Sequence, residues 1–340
     1  MSRPAAARAT IHDVARHAGV SSRAVTRVTR GLFAEVNVDV RRRIEAAIAD
    51  LRYEPTPDAQ TLSLGRSRRV ALLIDNPNPE YVMRVQEGVL AGLGGSDHTL
   101  LVHACPAHGP DLPDRLQDLA GRLKLFGVIL IPPFSDDARL PARLDAVGCR
   151  FVRLAATPSS RPEQTVRNED RQGARLAGRR LLALGHRRLA MICGPDSFAS
   201  SRERRAGFED ALAEYGLPST AAVFAPGGYT FASGQEAAES LLTRHAPPTG
   251  VFASNDEMAA GALHTALRRG LSIPADLSLI GFDDLSIARL SHPGLSTVRM
   301  PIYEAAAQAA RRLIAAPEDA RSEPLRAPEL IIRGSCAPAA

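Results

Sequence analysis

Short apolar runs of strand length alternate with stretches of helical length from Val70 to Phe282. Strands that alternate with helices in this way form a parallel sheet with helices on both faces, which is the doubly wound α/β architecture. The alternation restarts with a long helix predicted over Arg171–Leu184, so we expect two successive lobes of one architecture. The predicted strands are VALLI, TLLVHA, GVILI and RFVRL in the first lobe, and RLAMIC, AAVF, GVFAS and LSLIGF in the second.

The C-terminal segment predicts one more helix, Tyr303–Ile314, and a strand near Glu329–Arg333. We assign the helix to the first lobe and the strand to the second, so the chain is expected to cross between the lobes more than once. The expected first lobe is residues 70–166 with about 299–320, and the expected second lobe is residues 167–298 with about 321–340.

The stretch Thr10–Gly31 predicts two short helices joined by a turn that contains Gly19. Gly19 interrupts the helical period, and Ser21 is a residue type that caps an incoming helix. Two short helices joined in this way form a helix-turn-helix. The apolar positions at helical spacing are Ile11, Val14, Ala15 and Ala18 in the first helix, and Ala24, Val25 and Val28 in the second.

The second helix presents hydrogen-bond donors and positive charge on its outward face. A helix of this width enters the major groove of DNA, so we interpret it as a recognition helix. On these residues alone, the alternative is a basic pair of surface helices that binds no nucleic acid. The outward positions are Ser22, Arg23, Thr26, Arg27 and Arg30.

Positive charge is concentrated at the N terminus. Residues 1–69 contain 13 Arg and 7 acidic residues, a net charge of +6, whereas the rest of the chain carries −1. This distribution is typical of a protein that binds the phosphate backbone of a nucleic acid. A third helix, with apolar positions from Val40 to Leu51, completes an all-α head of residues 1–55. Residues 56–69 then predict a short hinge helix, which is too short to be stable alone in water, and a linker.

Several classes of protein have no signature in this sequence. The four cysteines lack framework spacing, which fits a reducing compartment, and no apolar run reaches the length of a membrane span. We therefore expect a cytoplasmic protein without membrane contact. There is no Walker A motif, nucleophile elbow or G-x-G-x-x-G, so we expect no enzyme activity and no cofactor. The spacing of His98, His103, Cys105 and His108 matches no zinc pattern, so we expect no metal.

Motifs along essentially the full length of the chain resemble those of the LacI/GalR family of transcription regulators. Their order and spacing match from end to end. Three departures are Thr29-Arg30, where the family usually has an apolar residue and Asn, Thr56, where the hinge usually has Asn, and Asn168-Glu169 within a V-x-x-D motif. The matching segments are IHDVARHAGVSSRAVTRV, AIADLRYEP, ALGHRRLAMICGP, ERRAGFEDAL, ASNDEMAAGAL, IPADLSLIGFDDLSIARL and PELIIRGS.

The resemblance implies a helix-turn-helix head and a two-lobed core like that of periplasmic binding proteins. It also implies insertion of Leu62 into the minor groove, where leucine acts as an apolar wedge. The alternative for Leu62 is a buried hinge contact with Leu64 or with a partner chain. An arginine fork suits guanine, and hydroxyl groups suit phosphates. The implied contacts are base edges for Ser22, Arg23 and Arg27, and phosphates for Thr10 and Ser21.

A ligand site is expected beyond the carboxyl ends of the strands, where open α/β sheets bind their ligands. The resemblance implies that Arg204, Asn255 and Asp283 hold an effector, and their donors and acceptors suit a hydroxyl-rich molecule such as a sugar. Arg204 and Asp283 could instead form an internal ion pair, and Asn255 could cap a helix. The candidate residues at strand ends are Asp75, Asn78, Tyr81, Phe134, Arg204, Asn255 and Asp283.

These features predict a homodimer that binds double-stranded operator DNA and represses genes of carbohydrate use, under the control of a small molecule, expected to be a sugar. The alternatives are a purine or a partner protein as effector and, more distantly, a solute-binding protein, which would need an export signal and no basic head. The chain ends seven residues after Arg333 without a heptad repeat, so we expect a dimer rather than a tetramer held by a C-terminal coiled coil.

Overall fold

The computed structural model describes residues 9–29, 31–53, 67–155, 157, 160–316 and 324–339. The chain divides into two compact units, Met1–Ser67 and Arg68–Ala340, and each is described by itself. Arg30 and the predicted hinge helix with Leu62 lie outside the described residues.

Local caps fix where the helices of the N-terminal unit begin and end. Helix α1 (Ile11–Ala18) begins at Thr10, whose hydroxyl accepts the backbone N–H of Asp13 while the Asp13 carboxylate accepts the N–H of Thr10 at 2.9 Å. This reciprocal pair is a capping box. The helix ends at Gly19, whose φ of 63° is a left-handed conformation that suits glycine. The other described helices of this unit are α2 (Ser22–Thr29) and α3 (Val38–Asp50).

A small apolar core holds these three helices together. Val14, Val25 and Ile44, one from each helix, are completely buried. The apolar residues that recur at helical spacing in the sequence therefore face inward, as in an amphipathic helix. Tyr53 is buried just after α3 and adds to the same core. The predicted helix-turn-helix and the third helix that covers it are confirmed.

The larger unit begins with a lobe built on a parallel sheet, as the alternation of strands and helices predicts. Its strands are β1 (Arg69–Ile74), β2 (Thr99–Ala104), β3 (Gly127–Leu130), β4 (Arg150–Ala155) and β5 (Thr165–Arg167). The helices between them are α4 (Pro79–Leu93), α5 (Leu112–Leu123) and α6 (Leu140–Ala146). The strand order is β2-β1-β3-β4-β5, so the winding reverses between β1 and β3, where such sheets form a ligand crevice.

The second lobe repeats this topology. Its strands are β6 (Leu189–Ile192), β7 (Ala222–Ala225), β8 (Gly250–Ala253), β9 (Ser278–Phe282), β10 (Ser296–Arg299) and β11 (Glu329–Ile331). Its helices are α7 (Asp170–Ala183), α8 (Ala199–Glu214), α9 (Phe231–Leu242), α10 (Asp256–Arg268) and α11 (Ser286–Leu290). The strand order is β11-β10-β9-β8-β6-β7, and the winding reverses between β6 and β8.

The chain passes between the lobes after β5, after β10 and again before β11. Helix α12 (Ile302–Ile314) packs against α4 and β4 of the first lobe, whereas β11 pairs antiparallel with β10 in the second. Strands β5 and β10 were not among the predicted strands, because three or four residues are too few to show a periodicity.

Two glycines allow α4 and α12 to pack closely. A Cβ atom on Gly88 would lie 2.3 Å from the backbone oxygen of Tyr303, and one on Gly92 would lie 2.3 Å from that of Ala307. A larger residue at either position would therefore push the helices apart. Because α4 begins at the edge of the crevice, this packing also fixes the position of the residues at its N terminus.

Candidate functional site

A cleft lies between the two lobes at the carboxyl ends of their parallel strands. The empty space within it is about 570 Å³, a volume that includes open solvent at its mouth. The first lobe contributes Asn76, Asn78, Tyr81 and Pro132, and the crossing segments contribute Asn168, Met300 and Ile302. The second lobe contributes Asp170, Phe198, Ser200, Arg204, Tyr229, Asn255 and Asp283.

Arg204 on α8 is the central charged residue of this cleft. Its Nε donates to the carboxylate of Asp170 at 2.8 Å, and its Nη2 lies 3.5 Å from the Asp283 carboxylate. A third donor bonds the backbone oxygen of Ser254. The guanidinium also lies 3.9 Å from the centre of the Phe282 ring, a cation–π contact. The internal ion pair that we considered for Arg204 is therefore present, and the same side chain lines the cleft.

Burial and neighbouring charges set the ionisation of the pair. Burial raises the pKa of Asp283 to about 6, with Arg204 opposing the shift and Asp170 adding to it. Burial alone would lower the pKa of Arg204, but the carboxylates of Asp283 and Asp170 raise it above its ordinary value. Arg204 therefore stays positive, whereas Asp283 gains or loses a proton in mildly acidic solution.

The backbone at Asp283 has an uncommon conformation. Its φ is 101°, and that of Asp284 is 53°, so two consecutive residues other than glycine lie at positive φ. Such conformations persist where surrounding contacts hold them, and they cluster at ligand sites. Here the N–H of Asp283 donates to the oxygen of Val298 at 2.8 Å, and the N–H of Leu285 donates to the buried carboxylate of Asp256 at 2.7 Å.

Two asparagines in the cleft wall cap helices. The side-chain oxygen of Asn255 accepts the N–H of Met258 at 2.9 Å at the start of α10, and its amide nitrogen donates to the backbone oxygen of Tyr229 at 2.9 Å. The side-chain oxygen of Asn78 accepts the N–H of Tyr81 at 3.0 Å at the start of α4. The amide nitrogen of Asn78 is buried and has no hydrogen-bond partner within the described part of the chain.

The structure brings five of the seven predicted effector residues to the cleft: Asn78, Tyr81, Arg204, Asn255 and Asp283. The other two lie elsewhere. The carboxylate of Asp75 accepts the N–H of Ala107 at 2.7 Å and so fixes the loop after β2. Phe134 is completely buried in the core of the first lobe, packed with residues such as Leu73 and Leu130. A position just after a strand does not fix the direction of a side chain.

The sequence reasoning missed several cleft residues, of which Asp170 is the most important. Asp170 follows β5, so the rule that ligands bind beyond the carboxyl ends of strands would have found it if β5 had been predicted. The neighbouring pair Asn168-Glu169 marked this segment as unusual in the sequence. Asn168 was noted only as part of a departure from the family motif, and the other cleft residues that were missed are Asn76, Pro132, Phe198, Ser200, Tyr229, Met300 and Ile302.

Direct hydrogen bonds join the two lobes. The Glu80 carboxylate of the first lobe accepts the backbone N–H of Ser286 at 2.9 Å. The Asp136 carboxylate of the first lobe accepts the N–H of Ala199, the first residue of α8, at 2.9 Å. Because α8 also carries Arg204, these contacts connect the relative position of the lobes with the geometry of the site.

In the N-terminal unit, the outward face of α2 exposes Arg23, and Arg27 is partly exposed. Arg27 forms an ion pair with Glu35 at 3.2 Å, and the hydroxyl of Ser22 lies 3.1 Å from Nδ1 of His12. Ser21 caps α2, since its hydroxyl accepts the N–H of Ala24 at 3.3 Å. The structure thus places Ser22, Arg23 and Arg27 on one helix. Thr10 and Ser21 lie at the starts of α1 and α2, and Arg30 lies outside the described residues.

Comparison with known proteins decides the family. The model "Bacterial regulatory proteins, lacI family" matches residues 10–56, and "Periplasmic binding protein-like domain" matches residues 179–336. An uncharacterized HTH-type transcriptional regulator in the aml 5' region of Streptomyces limosus is 34% identical over 331 residues, which are 96% of this chain and 93% of that protein. The chain belongs to the LacI family of bacterial regulatory proteins.

Solved structures of transcription regulators are similar in fold to this LacI-family chain. The complex of the transcriptional regulator CelR with cellobiose matches with a TM-score of 0.69 at 28% identity, over 96% of this chain and all of that one (100%). The lac repressor dimer, bound to operator and the anti-inducer ONPF, matches with a TM-score of 0.81 at 24% identity, over 97% and 100% of the two chains. The second comparison shows a common fold.

As a LacI-family member, this chain is a DNA-binding transcription regulator and not an enzyme. Within the residues that the structure describes, no group of three or more His, Cys, Asp or Glu side chains is arranged to hold a metal ion. In the same part of the chain, no helix combines the length and apolar character needed to span a bilayer.

Proposed function

We propose that this LacI-family regulator is a repressor that binds operator DNA as a homodimer and responds to a small hydroxyl-rich molecule, a sugar, in the cleft. The observation that best supports an effector is the buried group of Arg204, Asp170 and Asp283. Together these side chains offer donors and acceptors at short range, which vicinal hydroxyl groups can satisfy. CelR, which has the same fold, is described in complex with cellobiose.

In this proposal α2 enters the major groove. Ser22, Arg23 and Arg27 would contact base edges, Thr10 and Ser21 would contact phosphates, and Arg27 would exchange Glu35 for a base or phosphate. The net positive charge of the head supplies the attraction that does not depend on DNA sequence. Arg30 and Leu62, outside the described residues, are proposed as further DNA contacts, Leu62 in the minor groove.

Exposed apolar side chains on the first lobe support a homodimer. Met83 and Leu90 on α4 are 52% and 56% exposed, and Val102 on β2 is 43% exposed. Strand β2 is the edge strand of its sheet, and natural proteins usually cover an exposed apolar edge. A second copy of the chain would cover this surface and would present two recognition helices, which a palindromic operator requires. The lac repressor, which shares the fold, is described as a dimer on operator.

The two sites are proposed to communicate through movement of the lobes. The hydrogen bonds of Glu80 with Ser286 and of Asp136 with Ala199 hold one relative position of the lobes. An effector that binds this position better than another shifts the population toward it. Strand β1 begins at Arg69, the last residue of the predicted linker, so a shift of the first lobe moves the attachment point of the head.

Calorimetry on the full chain with a panel of sugars tests the effector site. Arg204→Gln should abolish or greatly weaken binding of the sugar that the parent binds, because it removes a buried charge from between two carboxylates. Arg205→Gln is a matched control, since Arg205 is the next residue, also pairs with a carboxylate (Glu209) and also lies against an aromatic ring (Phe224), yet does not line the cleft. Equal binding by both variants would contradict the proposed site.

A second candidate is a regulator whose effector contains a flat ring, such as a purine. Tyr81, Phe198 and Tyr229 all line the cleft, and the rings of Phe198 and Tyr229 meet edge to face with centroids 5.4 Å apart. Aromatic side chains stack on bases as well as on sugar faces. The panel should therefore include purine nucleosides beside the sugars, and a nucleoside that binds while no sugar does would favour this candidate.

A further inference from the structure

The charges in the cleft do not balance. Among the described residues that line it, Arg204 is the one cation, and Asp170 and Asp283 are two carboxylates. Their exposed fractions are 8%, 2% and 5%, so water screens them poorly. When all three groups are ionised, the cleft has a net charge of −1.

The positive ends of the helices around the cleft are already used by the protein. Helix N-termini attract anions through their free N–H groups. Here Asn78 accepts an N–H at the start of α4, Asp136 accepts one at the start of α8, and Asn255 accepts one at the start of α10. Asp170 is itself the first residue of α7. An anionic ligand would therefore compete with side chains that already accept an N–H group at these helix ends.

Arg204 is also poorly placed to bind a second carboxylate or a phosphate. Nε donates to Asp170, Nη1 to the backbone oxygen of Ser254 and Nη2 to Asp283, so each nitrogen already donates one hydrogen bond and three of the five N–H groups are used. One face of the guanidinium lies on the ring of Phe282. A bidentate contact with an anion needs two adjacent donors that point the same way, and an anion that approached the remaining N–H groups of Arg204 would lie close to the carboxylates of Asp170 and Asp283.

The opposite wall offers a neutral donor. The amide nitrogen of Asn78 has no partner among the described residues, and Asn78 is only 3% exposed. A buried donor without an acceptor is costly, so a ligand oxygen that accepts from it contributes to binding. The cleft thus offers a neutral donor on one side and surplus negative charge on the other.

We propose that the cleft selects its effector by charge, accepting neutral polyols and positively charged amino sugars while rejecting uronates and sugar phosphates, and that Asp170 and Asp283 together set this selectivity. This inference rests on the proposed function of the cleft as a sugar site. One carboxylate balances Arg204, at 2.8 Å for Asp170 and 3.5 Å for Asp283, so the presence of both supplies the surplus negative charge. Ligand hydroxyl or ammonium groups donate to the carboxylates, and a ligand carboxylate placed there meets like charge.

Matched sugar sets test the proposal by calorimetry on the full chain: glucose, glucosamine and glucuronate, and the corresponding galactose series. Like charges brought together at a binding site weaken binding strongly, so we expect the uronate to bind at least about tenfold more weakly than the best other member of its set. Asp170→Asn should narrow that ratio, and Asp283→Asn serves in its place if the first variant does not fold. Asp210→Asn is the control, because Asp210 also forms an ion pair with an arginine, Arg171, but lies outside the cleft.

The sugar arm has two outcomes that overturn the inference. One is a uronate that binds the parent as tightly as its neutral counterpart does. The cleft would then still be an effector site, but it would not select its ligand by charge. The other is a ratio of uronate affinity to the best affinity in its set that is the same in Asp170→Asn and in Asp283→Asn as in the parent.

Inorganic phosphate provides a second arm that does not depend on a sugar effector. Thermal unfolding is measured in phosphate and in chloride at equal ionic strength. Phosphate should stabilise Asp170→Asn more than it stabilises the parent or Asp210→Asn, because only the first variant loses negative charge in the cleft. If no sugar binds any of the proteins, the proposed sugar effector fails, and the phosphate comparison still decides on charge selection. Equal stabilisation of all three proteins by phosphate would overturn it.

Discussion

The carboxylate of Glu80 accepts hydrogen bonds from the backbone N–H of Ser286 at 2.9 Å and from its hydroxyl at 3.0 Å. Glu80 lies in the first turn of α4 in the first lobe, and Ser286 begins α11 in the second. One turn along α4, Arg84 donates to the backbone oxygen of Asp284 at 2.8 Å. Asp283, which lines the cleft, is three residues before Ser286. A ligand that moves Asp283 therefore acts on residues that directly contact the first lobe.

Glu80→Gln should weaken the coupling between effector and operator. The substitution keeps the size of the side chain but replaces a charged acceptor by an amide, at a cost of roughly 1–3 kcal/mol to the lobe contact. We expect a smaller ratio between the operator affinities with and without effector, measured by fluorescence anisotropy. Glu236→Gln is the control, since Glu236 is an exposed glutamate on α9 that does not line the cleft. A ratio equal to that of the parent would show that the contact plays no part in coupling.

Arg27→Ala should reduce discrimination between operator and random DNA. Loss of a good base contact costs about 1–3 kcal/mol at one position of each half-site. Arg16→Ala removes the same charge from α1, where the side chain is 80% exposed, and should weaken binding to all sequences alike. Glu35→Gln should strengthen binding, because it frees Arg27 from its ion pair. If Arg27→Ala lost as much affinity for random DNA as for the operator, Arg27 would not read a base.

Asp283 should make the stability of the protein depend on pH. Burial raises its pKa to about 6, and the charged groups that face it are Arg204, Asp170 and Arg84. In the unfolded chain the pKa returns to 3.8. The folded state therefore binds this proton more tightly, and stability falls as the pH rises from about 4 to about 6, by roughly 3 kcal/mol in total.

Urea unfolding of Asp283→Asn and of the parent at several pH values checks this. As the pH rises from 4 to 6, the free energy of unfolding of Asp283→Asn should increase relative to that of the parent. Asp210→Asn should show no such trend, because Arg171 holds the pKa of Asp210 below its ordinary value. If the free energies of unfolding of Asp283→Asn and of the parent changed in parallel with pH, Asp283 would be ionised in the folded state throughout this interval, contrary to the prediction.

Gly92→Ala should destabilise the larger unit. The new Cβ would meet the backbone oxygen of Ala307 at 2.3 Å and the Cβ of Ala310 at 2.7 Å, and overpacking of this kind costs about 1–3 kcal/mol. Gly121→Ala on α5 is the control. Nothing lies within 4 Å of its added Cβ, so the better helix propensity of alanine should leave stability unchanged or raise it slightly. Thermal unfolding compares them, and a neutral Gly92→Ala would show that α4 and α12 can separate freely.

The fold was largely predictable because it depends on local patterns. Helical spacing around Val14 and Val25 gave the head, and the alternation of apolar strands with helices gave the two lobes. Arg204, Asn255 and Asp283 were also found, because each follows a strand that is clear in the sequence and the family motifs contain them.

The rest of the site depends on contacts between residues far apart in the sequence. Asp170 follows β5, a strand of three residues that exists only because β4 lies beside it. Phe134 follows a clear strand, yet its side chain packs into the apolar core instead of the cleft. The positive φ of Asp283 is held by bonds to its distant neighbours, such as Val298. No pattern in the adjoining residues indicates these arrangements.

The central claim is that an effector in the cleft controls binding of operator DNA by the head. The most direct test selects the preferred site from random DNA with the full chain and then titrates that site with and without the effector identified by calorimetry. The account predicts a palindromic site and at least about a tenfold effect of effector on operator affinity, retained in Arg205→Gln and lost in Arg204→Gln. A saturating effector that binds the cleft yet leaves operator affinity unchanged in the parent would contradict it.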